Sequence, residues 1–368
     1  MAKVDVQYHA LANAILDTGY EYTTENRPNV PCRQLTSVNL ELPLTEFPLL
    51  TTKKMFTKGI VEELLWFLRG DTKASSLAKK GVTIWNKDAL TYHKKKHPMY
   101  KGDEKGFQVD LENDLLWGDV GRNYGVQWRD WTNIQGTKIG YIPSNVDQII
   151  ELLHNLRKSN PISRRHIVTA WNPSELDQTA LPPCHWAFEV LPRPLSYSQR
   201  IEYSGKDQEY LNALWLEGFG KNKDEEAKAT LLEELVHVPL YGFTLKWHQR
   251  SVDTFLGLPF NIASYALQSY IIGSIVDMIP MSIIGDLSNV HFYQPHIEVV
   301  REQLSNNPHA FSGCQLSFSE HYLEHLKEYK EGRQTFDEFI SRLTHEDFIF
   351  ENYQSFPPLK ADMFAPTE

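Results

Sequence analysis

Cys184 is the residue of this sequence with the clearest potential for covalent chemistry. It follows two prolines in the segment LPPCHWA, residues 181–187, and the other two cysteines, Cys32 and Cys314, lie far away in sequence. Three isolated cysteines form neither a metal-ligand pattern nor a disulfide framework, so the thiol is expected to be reduced and free to react. The alternative is a buried, inert cysteine, which is the commoner role for a rare thiol.

A second candidate is a carboxylate on a helix predicted over residues 58–69. At about 100° per residue, Glu62 points away from the apolar arc, whereas Glu63 falls inside it, between Trp66 and Phe67. Burial raises the pKa of a carboxylic acid and suits it to proton transfer. The alternative is a glutamate at the rim that accepts a hydrogen bond from a backbone amide.

Three arginines have neighbours that favour anion binding. Arg164 and Arg165 begin the segment RRHIVTAW, and Arg250 directly precedes Ser251. Guanidinium groups bind phosphate through paired, charge-assisted hydrogen bonds, and close to a cysteine they lower the thiol pKa. Each arginine could equally form a surface ion pair.

Asn261 lies where a long helix, residues 261–279, is predicted to begin. Its simplest role is that of an N-cap, and the alternative is an amide that reads the edge of a ligand. His248, His291 and His296 have no regular metal-ligand spacing, so structural roles are the default for them and no metal site is predicted.

The elements that must position these side chains are helices and strands in mixed order. Further helices are predicted over residues 6–18 and 148–158, the second with Asp147 as its N-cap, and strands over residues 164–171, 185–191 and 242–250. Two charged stretches with few apolar residues, 87–116 and 192–238, are predicted to be surface insertions. The expectation is therefore a single domain spanning residues 1–368.

The composition excludes several classes of protein. Apolar content of 41% and aromatic content of 12% are typical of a globular protein. A net charge of -10 opposes general binding of polyanions, so no obligate nucleic-acid partner is expected. The N-terminal segment lacks the apolar core of a signal peptide, and no apolar run is long enough to span a bilayer. A soluble, cytoplasmic protein without a membrane partner is expected.

Seven blocks of the sequence resemble the thymidylate synthase family, in the family order. They are FPLLTTKKMFTKGIVEELLWFLRGDT, GVTIW, YGVQWRDW, SRRHIVTAWNP, LPPCHW, HQRSVDTFLGLPFNIASYA and VHFYQPHIE. The resemblance covers nearly the whole chain apart from the two insertions. It implies an α/β (α+β) fold, in which helices pack on a large mixed sheet, and a homodimer.

The resemblance also implies the chemistry. Cys184 would add to C6 of the uracil ring of dUMP, so that C5 can attack the methylene of the cosubstrate 5,10-methylenetetrahydrofolate. The other catalytic positions that it implies are Glu63, Tyr124, His185, Asn261 and Asp253. Its substrate ligands are Arg27, Gln249, Arg250, Ser251, Asn261, His291 and Tyr293, with Arg164 and Arg165 donated by the second subunit. Its folate positions are Lys53, Trp85, Asp253, Gly257 and Phe260.

The residue type at position 261 predicts the base. The amide of Asn261 can donate to O4 of uracil and accept from N3–H, whereas an aspartate there would suit the amino group of cytosine. The expected substrate is therefore dUMP and not dCMP.

Several departures from the family pattern cluster around the folate. Asp88 stands three residues after Trp85, where the family has a second tryptophan, and Ser288 and Asn289 replace a Gly-Asp pair. The C-terminal segment continues beyond its usual end. The family excludes water with the two indoles and the closed C-terminus, so these changes favour attack of water on the C5-methylene. The sequence thus favours 5-hydroxymethyl-dUMP as product, with dTMP as the alternative and an inactive RNA-binding or regulatory protein as a minor one.

Overall fold

The fold is that of a computed structural model, which describes residues 2–25, 27–137, 140–204 and 238–364. A mixed sheet of seven strands lies at its centre. The strands of the described residues are β1 Tyr20–Thr24, β2 Arg27–Pro43, β3 Ile134–Thr137, β4 Gly140–Pro143, β5 Ile167–Thr169, β6 His185–Pro194, β7 Tyr241–Gln249, β8 Val252–Asp253, β9 Ile279–Tyr293, β10 Gln315–Phe318 and β11 Phe348–Glu351.

The central sheet has the order β1-β2-β9-β7-β6-β5, and β8 pairs with β9. The pairs β7–β9 and β8–β9 are parallel, and the other neighbours are antiparallel. Two small antiparallel pairs, β3–β4 and β10–β11, stand apart from it. The predicted large mixed sheet is confirmed.

Helices cover the sheet. They are α1 Lys3–Thr18, α2 Thr57–Leu68, α3 Ala74–Ala78, α4 Asn86–Lys96, α5 Glu104–Glu112, α6 Tyr124–Arg129, α7 Gln148–Leu156, α8 Tyr197–Ser204, α9 Gly257–Val276, α10 Ile297–Ser305, α11 Glu320–Lys330 and α12 Phe336–Arg342. The predicted helices in the first half of the chain are confirmed with small differences at their ends. The predicted N-cap is present, since the Asp147 side chain accepts from the backbone N–H of Ile150 at 3.0 Å. No helix of the described residues is long and apolar enough to cross a membrane.

Strand β7 shows how the sheet is divided between core and surface. Phe243, Leu245 and Trp247 are fully buried, whereas Lys246 and His248, which alternate with them, are partly exposed on the other face. This alternation is the one predicted for residues 242–250, because successive side chains of a strand point to opposite faces. Strand β5 is shorter than predicted, since only three of its residues pair with β6.

Helix α9 begins at Gly257, four residues before the predicted start at Asn261. The N-cap interpretation of Asn261 is therefore wrong. Leu256 is the N-cap and makes no side-chain capping bond. Asp253 closes the turn before the helix instead, since its Oδ1 accepts from the backbone N–H groups of Phe255 and Leu256 at 3.0 Å each. The helix is apolar all round and buried, because the sheet contacts one side of it and other helices cover the rest.

Glu62 on α2 departs from its predicted orientation toward solvent. It is 1% exposed, and Lys80 donates to its Oε2 at 2.5 Å. Its Oε1 accepts from the backbone N–H of His345 at 3.1 Å. Lys80 and His345 thus cover the polar side of α2. A helical projection of α2 alone cannot show neighbours from other segments.

The two predicted insertions are described to different extents. The segment 87–116 contains most of α4 and all of α5, and Phe107 and Leu111 are fully buried. The segment 192–238 begins inside β6 and includes α8, but most of it lies outside the described residues.

Candidate active site

The pairing of β6 with β7 brings Cys184 and Arg250 together. His185 and Gln249 are partners in the ladder, and the backbone N–H of Arg250 donates to the carbonyl of Cys184 at 2.8 Å. Two segments that are 66 residues apart in sequence therefore meet at the same end of the sheet.

The Arg250 side chain holds the loop that carries the thiol. Its Nε donates to the carbonyl of Pro183 at 2.9 Å, its Nη2 donates to that of Pro182 at 2.8 Å, and Nη2 lies 3.9 Å from the Cys184 Sγ. The two prolines lack N–H groups, but their carbonyls accept from this guanidinium. The Arg250 guanidinium thus both fixes the conformation of this loop and lies close to the thiol.

The expected lowering of the Cys184 pKa is not the net result. Arg250 and Arg27 do lower it, but burial raises it by more, and the nearby carboxylate of Asp88 adds to the increase. The sequence argument considered the cations without the desolvation of the thiolate, and desolvation is the larger effect here. Cys184 is therefore mainly a thiol at neutral pH and needs a partner that takes its proton.

Tyr124 and His185 lie directly beside Cys184. The Tyr124 hydroxyl accepts from the backbone N–H of Cys184 at 2.8 Å, and its ring stacks on His185 with centroids 4.0 Å apart. The His185 Nδ1 lies 2.8 Å from the hydroxyl of Tyr265, and burial lowers the pKa of this histidine to about 3. His185 is thus a neutral ring that is oriented by a tyrosine that the sequence did not single out.

Glu63 accepts a hydrogen bond from a predicted folate residue. The indole Nε1 of Trp85 donates to its Oε1 at 2.7 Å. Burial raises the pKa of Glu63 to about 7, and the hydrogen bond from Trp85 opposes this only in part. A carboxyl group with such a pKa can both donate and accept protons near neutral pH.

The Asn261 amide is oriented by Gln249. The Nε2 of Gln249 donates to the Oδ1 of Asn261 at 3.1 Å, while the Oε1 of Gln249 accepts from the indole of Trp247, also at 3.1 Å. The Nδ2 donor of Asn261 is therefore directed away from Gln249. The second lone pair of Oδ1 also remains, so the amide keeps the donor and acceptor that the uracil prediction requires.

His291 presents a buried acceptor. Its Nδ1 donates to the carbonyl of Asn289 at 2.8 Å, and its Nε2 is buried with no hydrogen-bond partner in the described part of the chain. Tyr293 follows on the same strand, with ring centroids 4.9 Å apart. A buried ring nitrogen without a partner is uncommon, and a hydroxyl group would satisfy it.

The replacement of the family's Gly-Asp pair has a structural consequence. Asn289 adopts a left-handed backbone conformation with φ of 52°, which asparagine tolerates better than most residues. Its Nδ2 donates to the carbonyl of Arg250 at 2.8 Å. Asn289 thus fixes the segment that carries the phosphate-binding candidates Arg250 and Ser251.

The C-terminal segment lies over Arg27. The Nε of Arg27 donates to the carbonyl of Phe364 at 3.0 Å, and the Phe364 ring lies 5.2 Å from both Tyr293 and His296. The His296 Nε2 donates to the carbonyl of Asp362 at 2.9 Å. The chain just before the described end therefore closes over this side of the candidate site.

The predicted folate residues lie in different environments. Lys53 is buried, its Nζ donates to the carbonyl of Phe255 and lies 3.7 Å from the centre of that ring, and burial lowers its pKa to about 7. Gly257 is the first residue of α9, and a Cβ there would meet only ordinary contacts at 3.7 Å or more. Phe260 is partly buried in the next turn. The protein itself does not require glycine at position 257, which leaves space for a ligand.

Arg164 and Arg165 do not join this group within one chain. Both are exposed, and the charges that shift the pKa of Cys184 come from Arg27, Arg250 and Asp88. A cavity of about 330 Å³ is lined in part by Arg165 and His166, but it contains none of the other predicted site residues. Among the described residues no group of three or more His, Cys, Asp or Glu is arranged to hold a metal ion.

Comparisons with known proteins agree on one family. The sequence model described as thymidylate synthase matches residues 6–203 and 230–365, and the gap between them falls within the predicted insertion 192–238. The chain is 34% identical to the thymidylate synthase of Saccharomyces cerevisiae over 98% of its own length and 97% of the relative's. It is 31% identical to that of Enterobacteria phage T4, over 97% and 99% respectively. The identity to the thymidylate synthase of Mesoplasma florum is 35%, over 82% of this chain and 86% of the relative.

The expected fold, enzyme class and cosubstrate are thereby confirmed at the level of the family. The chain belongs to the thymidylate synthase family, whose members are one-carbon transferases that act on dUMP with 5,10-methylenetetrahydrofolate.

Proposed function

We propose that this protein is a thymidylate synthase, which converts dUMP and 5,10-methylenetetrahydrofolate to dTMP and dihydrofolate. The observation that carries the proposal is the similarity along 97% or more of the chain to relatives that bear this name. The sequence alone favoured the hydroxymethyl product, but these relatives support the methyl product better.

The geometry around Cys184 supports the first step. The sulfur forms a bond to C6 of the uracil ring, the C5–C6 electron pair moves to C5 and O4, and Asn261 donates to the O4 that gains charge. Since the pKa of the thiol is raised, its proton must be removed as the sulfur attacks C6. The neutral His185 ring and the Tyr124 hydroxyl fix the loop but add no positive charge.

Two further groups have proposed roles at the base and the sugar. Glu63, with a pKa of about 7, exchanges protons near the pyrimidine through ordered water. His291 accepts from a hydroxyl group of the deoxyribose through its Nε2, which the described chain leaves without a partner. Arg27, Arg250 and Ser251 bind the phosphate in this proposal.

A second product, 5-hydroxymethyl-dUMP, is favoured by one observation. Asp88 is a carboxylate whose charge acts on both Cys184 and Arg27, and burial raises its pKa to about 6. It stands where the resemblance implies an indole that excludes water. A carboxylate at that place can hold a water molecule near the C5-methylene. Attack of this water on the methylene would give a hydroxymethyl group.

Product analysis separates the two reactions. The protein is incubated with dUMP and 5,10-methylenetetrahydrofolate, the nucleotide is analysed by mass spectrometry, and dihydrofolate is followed by absorbance. We expect dTMP with one dihydrofolate for each turnover. Formation of 5-hydroxymethyl-dUMP with tetrahydrofolate would reject the proposal in favour of the second product, and Asp88→Trp should then shift the product toward dTMP.

The quaternary structure and chain organisation belong to the same proposal. We propose a homodimer in which Arg164 and Arg165 reach the phosphate site of the other subunit, because both are exposed here and neither acts on Cys184. We also propose one domain with insertions at 87–116 and 192–238.

A further inference from the structure

Two histidines on α11 face each other outside the candidate active site. His321 and His325 are four residues apart, which places them on the same face of the helix. Their Nε2 atoms are 3.1 Å apart, and their rings are nearly perpendicular, at 82°. The two nitrogens are therefore close enough to bind one ion.

The opposite edge of each ring is held by other side chains. The His321 Nδ1 donates to the Oδ1 of Asp347 at 2.9 Å, so its Nε2 carries a lone pair, which faces the Nε2 of His325. The Nδ1 of His325 lies 2.9 Å from Gln334 Nε2 and 3.5 Å from Glu328 Oε2. Metal-binding histidines typically have this arrangement, in which a carboxylate or amide orients the ring through its other nitrogen.

Asp347 is itself rigidly placed. It is 4% exposed, and it accepts from the Ser319 hydroxyl at 2.6 Å and from the backbone N–H of Thr344 at 2.8 Å. Its position and that of His321 are thus fixed before any ligand binds. The Oε1 of Gln334 is a buried acceptor without a hydrogen-bond partner in the described residues.

We propose that His321 and His325 bind a divalent late transition-metal ion such as Zn²⁺ through their Nε2 atoms. An ion about 2.0–2.1 Å from both nitrogens would subtend an N–metal–N angle of about 100°, which lies within the range of ordinary coordination geometry. Imidazole is a preferred ligand of zinc, nickel and copper, and water completes the coordination shell. The carboxylates of Asp347 and Glu328 supply negative charge behind the rings.

Binding requires one proton to move. In the metal-free arrangement Gln334 donates to the Nδ1 of His325, so the His325 proton lies on Nε2 and is shared with His321. The metal takes the Nε2 lone pair, and the proton moves to Nδ1 of the same ring. On Nδ1 the proton can be accepted by the Glu328 carboxylate, or by the Oε1 of Gln334 after its amide group rotates. The net charge of the protein is unchanged, and only the charge of the metal is added.

The two histidines lie close to the contact between α11, the turn 345–347 and α2. Asp347 ends the short helical turn 345–347, and His345 of that turn donates through its backbone N–H to Glu62 on α2. A metal on α11 would therefore hold this turn against the helix that carries Glu63. We expect an effect on stability and none on product formation.

A second histidine pair provides the matched control. His93 on α4 and His97 at its C-cap are also four residues apart, with ring centroids 4.5 Å apart, as in the pair on α11. In the described part of the chain neither ring has a hydrogen bond to a carboxylate or an amide side chain, and their neighbours are aromatic. The two pairs have the same spacing in sequence and the same centroid distance. A difference in metal affinity between them would therefore come from the side chains that contact the rings.

The experiment measures Zn²⁺ binding to the EDTA-treated, desalted full chain by titration calorimetry, and repeats it with Ni²⁺. We expect one ion for each chain through this site, a higher melting temperature with metal, and at least a tenfold loss of affinity in His321→Ala and in His325→Ala. Glu328→Gln should weaken binding about 10- to 100-fold. Binding should persist in His93→Ala and in Cys184→Ala, the second of which excludes the thiol as the ligand.

Circular dichroism and dUMP turnover of each histidine variant show that it is folded. Unchanged affinity in folded His321→Ala would overturn the inference, as would absence of binding in the parent protein or loss only in Cys184→Ala. The proposal does not depend on the proposed function, because neither histidine is among the candidate catalytic or substrate-binding residues.

Discussion

Cys184 illustrates what individual residues contribute to this protein. Its type and surroundings indicated a nucleophile, and the structure adds a loop fixed by Arg250 and Tyr124. The net increase of its pKa was not predictable, since it depends on how many atoms of other segments remove water from the thiol.

Replacement of the nucleophile should separate chemistry from folding. We expect Cys184→Ala to retain its melting temperature and to lose turnover of dUMP, because the substitution removes the proposed attacking sulfur. Cys314→Ala is the control, since this cysteine is buried beside the carbonyl of Phe47 and not beside a candidate site residue. The assigned mechanism would be refuted by full activity of Cys184→Ala in a tritium-release or product assay.

Replacement of Glu63 should affect both rate and pH dependence. We expect Glu63→Gln to reduce kcat roughly 10²- to 10⁴-fold, since a glutamine cannot transfer a proton. The folded pKa is about 7 against an ordinary 4.5, so the folded state binds more protons than the unfolded state between these values. Stability of the parent protein should therefore fall as pH rises from about 4.5 to 7.

The stability part is measured by chemical unfolding at several pH values. Glu63→Gln should lose this component of the pH dependence. Its neighbour Glu62 is the control, because Glu62 is held by Lys80 and His345. Glu62→Gln should destabilise the fold, by up to about 3–5 kcal/mol for a broken buried ion pair, without the same loss of kcat in the folded protein. Equal kcat of Glu63→Gln and the parent would contradict the proposed role.

At the scale of elements, α9 places its first turn at the site and its remaining turns in the core. Asp253 closes the turn before it, Gly257 begins it, and Asn261 lies one turn further along. The predicted start was four residues late because Pro259 is typical of a helix break, although the first turn of a helix tolerates proline.

Two glycines of α9 should respond in opposite ways to replacement by alanine. Gly257→Ala should leave stability unchanged or slightly higher, because its Cβ has space, while the KM for the folate rises if the cosubstrate approaches there. Gly273→Ala should lower the melting temperature, since its Cβ would lie 2.7 Å from the carbonyl of Met278. Steady-state kinetics and thermal unfolding of both variants measure this contrast. An unchanged KM in Gly257→Ala would remove Gly257 from the folate site.

At the scale of the whole molecule, the position of Arg164 and Arg165, in the segment SRRH, bears on the proposed homodimer. They were predicted beside a phosphate, yet in one chain they are exposed and apart from Cys184. Only a second subunit would bring them to the site, as the proposed homodimer requires.

Mixing two inactive variants tests this arrangement. Cys184→Ala and Arg165→Ala are each expected to show little activity, and after partial unfolding and refolding together the mixture should recover about a quarter of the sites. Recovery occurs because one site of each mixed dimer then has both an intact thiol and an intact arginine. Absence of recovery, with mixed dimers detected by a tag on one variant, would place Arg165 and Cys184 in the same chain's site.

The sequence by itself determined the family and the main helices, and it singled out Cys184 as the candidate nucleophile. Ordered blocks of residues and local periodicity carry that information, because they depend on neighbours along the chain. It also determined the apolar alternation of β7, which needs only the period of a strand.

Only the tertiary structure decided the environment of the site residues. It buried Glu62 beneath Lys80 and His345, began α9 four residues earlier than predicted, joined Asn289 to Arg250, and raised the pKa of Cys184 where the sequence predicted a decrease. Desolvation and hydrogen bonding depend on atoms from segments that are distant in sequence. Their sum cannot be read from any one segment, and it sets the protonation state on which the chemistry depends.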